Sequence, residues 1–263
     1  MKKLFHKAYN VFVYLLFDPL GKIQQYRALP AFLKNLLRFR SLPGGQTLPV
    51  RVTDLYITTA DKYRQAGVAK GHYFFQDIWA ATKIYRNNRK QHTDVASRID
   101  GFVAHLLPFC KVDYVDLRKL ENRVQNLNFI QGSISELPFP NNSVESLSCL
   151  HVIEHIGLGR YGDPLDPAGH EKAAIELTRV LKPGGTLYIG TPVGQERVCF
   201  DAHRVFHPTT VLRIFGDLEL QEFSLIDDKG EHIIPNADIE QAASCRYGCG
   251  LFEFVKPANS NNA

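Results

Sequence analysis

From about residue 91 onward, short β-prone runs alternate with segments of helical spacing, and this alternation constrains the fold more than any other feature. QHTDV, KVDYVDL (111–117), NLNFIQG (126–132), SVESLSCL (143–150) and TLYIGTPV (186–193) have strand length and are bounded by turn residues. GFVAHLLPF and GHEKAAIELTRVL (169–181) fall between them with apolar residues three and four apart, the second closed by KPGG. Such a chain folds as an α/β protein with a mainly parallel sheet covered on both faces. FFQDIWAATKIYRNN (74–88) predicts a preceding helix, HPTTVLRIF (207–215) a late one, and LELQEFSLIDD (218–228) and CGLFEFVK (249–256) the last two strands.

The N-terminal stretch has a different character. Residues 1–40 hold eight Lys and Arg against Asp18 alone, a local +7, so the remainder of this +4 chain carries −3. Two short helices, roughly 3–16 and 22–39, would set basic faces beside apolar ones. They would serve either as an anchor at an anionic membrane surface or as a cap on the main domain. The apolar run VFVYLLF is stopped by Asp18-Pro19, too short for a signal peptide or a span. Five cysteines, an odd number, point to a reducing, cytoplasmic setting, and Cys245-x3-Cys249 lacks a second pair to complete a four-thiolate site. The expected division is a basic extension (1–60), an α/β domain (61–258) and a disordered tail (259–263).

Ligands of open parallel sheets bind beyond the C-terminal strand ends. The first strand ends in Asp94, Val95, Ala96 and Ser97, with Gly101 opening the next helix, a small-residue loop that admits a close ligand. Asp116 ends the second strand 22 residues after Asp94, the spacing at which a carboxylate takes the two hydroxyls of a ribose. Ser133 and Ile134 follow the third strand, where they could bond and pack on an adenine.

In that order the chain from about Asp94 to Pro192 resembles the class I S-adenosylmethionine-dependent methyltransferases. The resemblance is carried by D-V-x-S-x-x-x-G, V-D-L, F-I-Q-G-S with L-P-F-P-N-N-S-V-E, C-L-H-V-I-E-H-I, and R-V-L-K-P-G-G-T-L-Y-I-G-T-P. More closely, SRIDGFVAHL, HxxEHIGLGRYGDPLDPAGH, AHRVF and YGCGLFE resemble the family called domain of unknown function 268. The resemblance implies a Rossmann-like sheet with an antiparallel last strand. Asp94, Ala96, Ser97 and Gly101 would then line the methionine side of the cofactor, Asp116 the ribose, Ser133 and Ile134 the adenine, and His151 the sulfonium. Ala96 stands where these enzymes usually carry glycine, and Ser133 where an acidic residue is common.

His151, Glu154 and His155 also spell H-x-x-E-H, the pattern of an inverted zinc peptidase. That chemistry needs a long helix, and the strand before and the Gly- and Pro-broken loop after leave at most two turns. A resemblance to metal-using O-methyltransferases suggests instead that His151, Glu154, His155 and His203 hold a divalent ion, softer than Mg²⁺. Without metal, His155 and His203 are the candidate general bases, with Glu154 or Asp163 orienting the ring. Tyr161, Asp166 and Arg204 would flank the acceptor, and His72, Tyr73 and Gln76 would close over the cofactor. The expected activity is O-methylation of a hydroxylated small molecule or glycan precursor, as in polysaccharide synthesis. The competing expectation is a non-catalytic protein that binds the cofactor or a partner. Nucleic acid is not expected, because the body lacks a basic aromatic platform.

Overall fold

The computed structural model describes residues 19–45, 47–48, 50–56, 65–121 and 123–258. The helix expected over 3–16 and the tail at 259–263 lie outside them. Two compact units divide the chain, Met1–Val68 and Ala69–Ala263. In the first, α1 (Pro19–Ser41) contains the predicted 22–39 helix, and a 3₁₀ turn follows at Val52–Asp54. No described helix is long and apolar enough to cross a membrane.

The second unit holds the sheet. After α2 (His72–Arg86) come β1 (Gln91–Val95), a π-helical turn (Ile99–Val103) running into α3 (Ala104–Leu106), β2 (Lys111–Asp116), β3 (Leu127–Gln131) and β4 (Val144–Leu150). A 3₁₀ turn at Ile153–His155 leads to α4 (Gly169–Val180), β5 (Leu181–Val193), a small hairpin of β6 (Arg197–Cys199) and β7 (His203–Val205), α5 (Pro208–Ile214), β8 (Glu219–Ile226), α6 (Ile239–Ser244) and β9 (Gly248–Val255). The seven-stranded order is β3-β2-β1-β4-β5-β9-β8. Strands β1 to β5 pair in parallel, and β9 inserts antiparallel between β5 and β8. This is the mainly parallel α/β sheet that the sequence predicts, with the antiparallel last strand that the resemblance implies.

Alternation along the strands builds a core on each face. Val95, Val115, Leu147, Leu187 and Ile189 pack on one side with Leu177 of α4. Val112, Tyr114, Leu150, Tyr188 and Leu251 pack on the other with Trp79 of α2, Phe102 and Leu106. KPGG does not separate α4 from β5 as a free turn. Leu181 already pairs with Val144 and Thr186 with Ser146, so the four residues between them bulge out of the ladder.

The order of strands also fixes the site. The chain runs outward from β1 to β3, then returns to β4 on the other flank of β1, so the ends of β1 and β4 open the crevice of a topological switch point.

Candidate active site

A cleft of about 620 Å³ opens beyond the ends of β1, β2, β3 and β4. Ala96, Ser97, Asp116, Ser133, Ile134, His151, His155 and Asp163 all line it. Asp94, Gly101, Glu154 and His203 do not, and each has a different physical reason.

Asp94 is completely buried beneath the loop it was expected to present. Its carboxylate accepts from the Ser97 N–H (3.0 Å), the Ser97 hydroxyl (2.6 Å) and the Ser148 hydroxyl. Because the Ser148 proton goes to Asp94, that hydroxyl accepts from His92 Nε2 (2.8 Å), and His92 Nδ1 then accepts from Ser146 (2.8 Å). Burial pushes Asp94 up to about 6 and His92 down to about 3. Asp94 therefore shapes the cleft wall rather than touching a ligand. The β1 loop makes its sharp exit at Ala96, whose φ of 58° is the left-handed conformation that glycine adopts freely.

Gly101 serves packing. A Cβ there would run into the Asp77 carboxylate of α2. Gly101→Ala is expected to lower stability by about 1–2 kcal/mol through that overpacking, with urea unfolding as the check and an unchanged midpoint as the contrary result.

Asp116 matches its expected position and is 5% exposed at the cleft wall. Arg118, two residues on, binds it through the backbone N–H (2.8 Å), Nε (3.0 Å) and Nη2 (2.8 Å), and the Tyr114 hydroxyl adds a bond of 3.1 Å. Burial works against the charge, but these bonds outweigh it and hold the carboxyl below its ordinary pKa. The four contacts use all the lone pairs of the carboxylate, so a ribose must displace the Arg118 guanidinium. That group already lies 4.9 Å from the Tyr161 ring, which also lines the cleft. Arg118, Leu117 and Lys172 line the cleft too, and sequence reasoning passed over them. Arg118, next to the expected ribose residue, was the one with a local signal.

H-x-x-E-H forms a strand exit and a single 3₁₀ turn, which excludes the helix a peptidase would need. His151 turns out of β4 with φ 53°, and its Nε2 meets His72 Nδ1 at 3.2 Å. The Tyr73 ring lies 4.8 Å from it. Burial and the neighbouring His72 and His155 rings lower its pKa to about 3. Glu154 points inward, 1% exposed, and burial raises it to about 8 against a long bond from the Thr191 hydroxyl (3.4 Å).

His155 is held differently. Its Nδ1 lies 2.6 Å from the Ala202 carbonyl, which can only accept, so Nδ1 carries the proton and Nε2 keeps its lone pair. Burial, reinforced by Arg160, lowers its pKa to about 4 despite the Ala202 bond. Nε2 is 3.7 Å from Glu154, beyond hydrogen-bond reach. The expected ring-orienting role of Glu154 and Asp163 therefore passes to the Ala202 carbonyl. Asp163 is occupied instead by the N–H groups of Gly157 (2.6 Å), Gly159 (3.4 Å) and Tyr161 (3.3 Å), which fold the acceptor-side loop. Arg204 is spent on the carbonyls of Glu154, Ile156 and Pro167. His203, on β7, packs on Tyr247 with centroids 5.1 Å apart.

The expected metal set does not converge. Among the described residues, the His, Cys, Asp and Glu side chains whose ligand atoms do gather are His72, His151 and Cys249. Only His151 of the expected four belongs to that group.

The architecture matches solved structures. An assigned sarcosine dimethylglycine methyltransferase from Galdieria sulphuraria superposes with a TM-score of 0.51 at 14% identity, over 70% of this chain and 85% of that one. The [4+2]-cyclase SpnF superposes at 0.50 and 13% identity, over 70% and 82%. The chain has the class I methyltransferase fold. NodS, an N-methyltransferase from Bradyrhizobium japonicum WM9 solved with S-adenosylhomocysteine, aligns over 85% of this chain and 97% of its own at 14% identity and a TM-score of 0.48. Residues 117–238 match the model of a family described as Caenorhabditis protein of unknown function, domain of unknown function 268. No curated protein matches the sequence. Because the methyltransferase fold also appears in a cyclase, the chemistry has to be argued from the cleft.

Proposed function

We propose that this protein is an S-adenosylmethionine-dependent O-methyltransferase of a hydroxylated acceptor, such as a sugar or glycan precursor. The observation that carries the cofactor reading is the Asp116 carboxylate at the end of β2, facing the same cleft as the β1 loop and the Ser133–Ile134 turn. A nucleoside ribose presents two adjacent hydroxyls, and one carboxylate can accept from both. The apolar Leu117 and Ile134 side chains offer faces for the purine.

His155 Nε2 supports the transfer to oxygen. His155 lines the cleft, its Nε2 is unprotonated and its ring is oriented by Ala202, so it would take the acceptor proton as the hydroxyl oxygen bonds to the methyl carbon and the carbon–sulfur bond breaks, releasing S-adenosylhomocysteine. With a pKa near 4 it is a weak base at neutrality, so in-line positioning of the two substrates supplies most of the rate. Asp166 and Tyr161, also on the cleft wall, suit a polyhydroxylated acceptor better than an apolar one.

The test supplies methyl-labelled S-adenosylmethionine with a panel of free and nucleotide-linked sugars. Label in a base-stable ether product supports the reading, and label on nitrogen, or none with any hydroxylated acceptor, overturns it. His155→Gln is expected to slow transfer on the order of a hundredfold while leaving cofactor affinity within about twofold. The pH profile follows from the lowered pKa. The base is free above about pH 5, and activity is lost as the pH falls through 4 and the ring gains its proton. A profile centred instead near the ordinary histidine value would remove His155 from the role.

A further inference from the structure

The geometry points to a zinc site built by His72, His151 and Cys249, where two imidazoles and a thiolate meet beside the cleft. His72 opens α2, His151 leaves β4, and Cys249 is fully buried near the start of β9. Their ligand atoms all lie within 4.8 Å of one another, and His72 Nδ1 is 3.2 Å from His151 Nε2. Tetrahedral zinc with bonds of about 2.05 Å to nitrogen and 2.3 Å to sulfur separates two nitrogens by about 3.3 Å and nitrogen from sulfur by about 3.6 Å. The two imidazoles thus already stand at the spacing of ligands to one ion, and the sulfur needs to close by about 1.2 Å at most.

The surroundings fit a ligand set. The His72 ring stacks on Tyr247 with centroids 5.2 Å apart, and the His151 ring is fixed by Tyr73. The Cys249 thiol makes a long 3.8 Å contact with the carbonyl of its own neighbour, Gly250. Nitrogen with thiolate selects zinc over Mg²⁺ or Ca²⁺. Three protein ligands leave a fourth position open, the arrangement of zinc sites that bind a substrate oxygen. His151 lines the main cleft, and His72 lines a second cleft of about 410 Å³ with Asp227, Asp228 and Tyr247. The site shares His151 with the cleft of the proposed activity, but metal binding there needs neither cofactor nor acceptor.

The experiment loads the chelator-treated full chain with Zn²⁺ and, for the spectrum, with Co²⁺. We expect one equivalent bound, with intense tetrahedral d–d bands and a sulfur-to-cobalt charge-transfer band. Cys249→Ser should remove the charge-transfer band and weaken Zn²⁺ at least a hundredfold, while Cys245→Ser should keep both. His72→Gln, in the first turn of α2, provides the same affinity loss should the Cys249 variant fail to fold. No stoichiometric binding by the wild type, or a charge-transfer band that survives Cys249→Ser, overturns the proposal.

Discussion

Asp94→Ala is expected to cost roughly 3 kcal/mol of stability, because a buried carboxylate at the centre of a network is removed while its partners stay buried. The network crosses three elements. Ser97 gives Asp94 two bonds and also accepts from the Leu150 N–H (3.0 Å), so the β1 loop is tied to the end of β4. Tyr114 reaches from β2 to the Ser97 carbonyl (3.1 Å) and to Asp116. Losing Asp94 strands the Ser148 hydroxyl and, behind it, His92. Asp94→Asn, which keeps an acceptor oxygen, should cost less than half as much. Denaturant unfolding of both variants decides. Full stability in Asp94→Ala with loss of cofactor binding would return Asp94 to the ligand-binding role its sequence position suggests.

Glu154→Gln is expected to be stabilising at neutral pH, the opposite of most changes to a buried polar residue. The carboxyl is raised from 4.5 to about 8 by burial. Between those values the unfolded chain is ionised and the folded one still holds the proton, so stability falls as pH rises through this window. At 1.36 kcal/mol per pKa unit, the loss from about pH 5 to 7.5 is roughly 3 kcal/mol, and glutamine lacks it. The difference in unfolding free energy between variant and wild type, measured with chelator present, should therefore grow with pH by that amount and level off above 8. The histidines that titrate in acid cancel in the difference. A gap that stays constant with pH would mean that Glu154 is ionised in the folded protein.

Much of the sheet is legible because its signals are local. Strand-length runs and helical spacing mark β1 to β5, and the 22 residues from Asp94 to Asp116 mark the β2 carboxylate. The β6–β7 hairpin and α6 are too short for a periodicity, with three residues in each strand and six in the helix. Side-chain direction escapes as well. Asp94 and Asp116 both stand at or near strand ends, and only tertiary packing sends one under the loop and the other to the cleft wall. In H-x-x-E-H the spacing invites a shared metal, but with a strand exit at φ 53° and a single 3₁₀ turn the three ligand atoms do not gather round one point. His151 meets His72 and Cys249 instead, partners 79 and 98 residues away that only the tertiary fold brings together. Cys245-x3-Cys249, lacking a second pair for a four-thiolate site, gave no hint of this.

The central claim is that the cleft at the switch point holds a nucleoside cofactor through Asp116. Calorimetric titration of the wild type and Asp116→Asn with S-adenosylhomocysteine tests it most directly. The expected result is one site with a micromolar dissociation constant, weakened at least about tenfold, or about 1.4 kcal/mol, in the variant. No binding to a folded wild-type protein, or equal binding by the two, would contradict it.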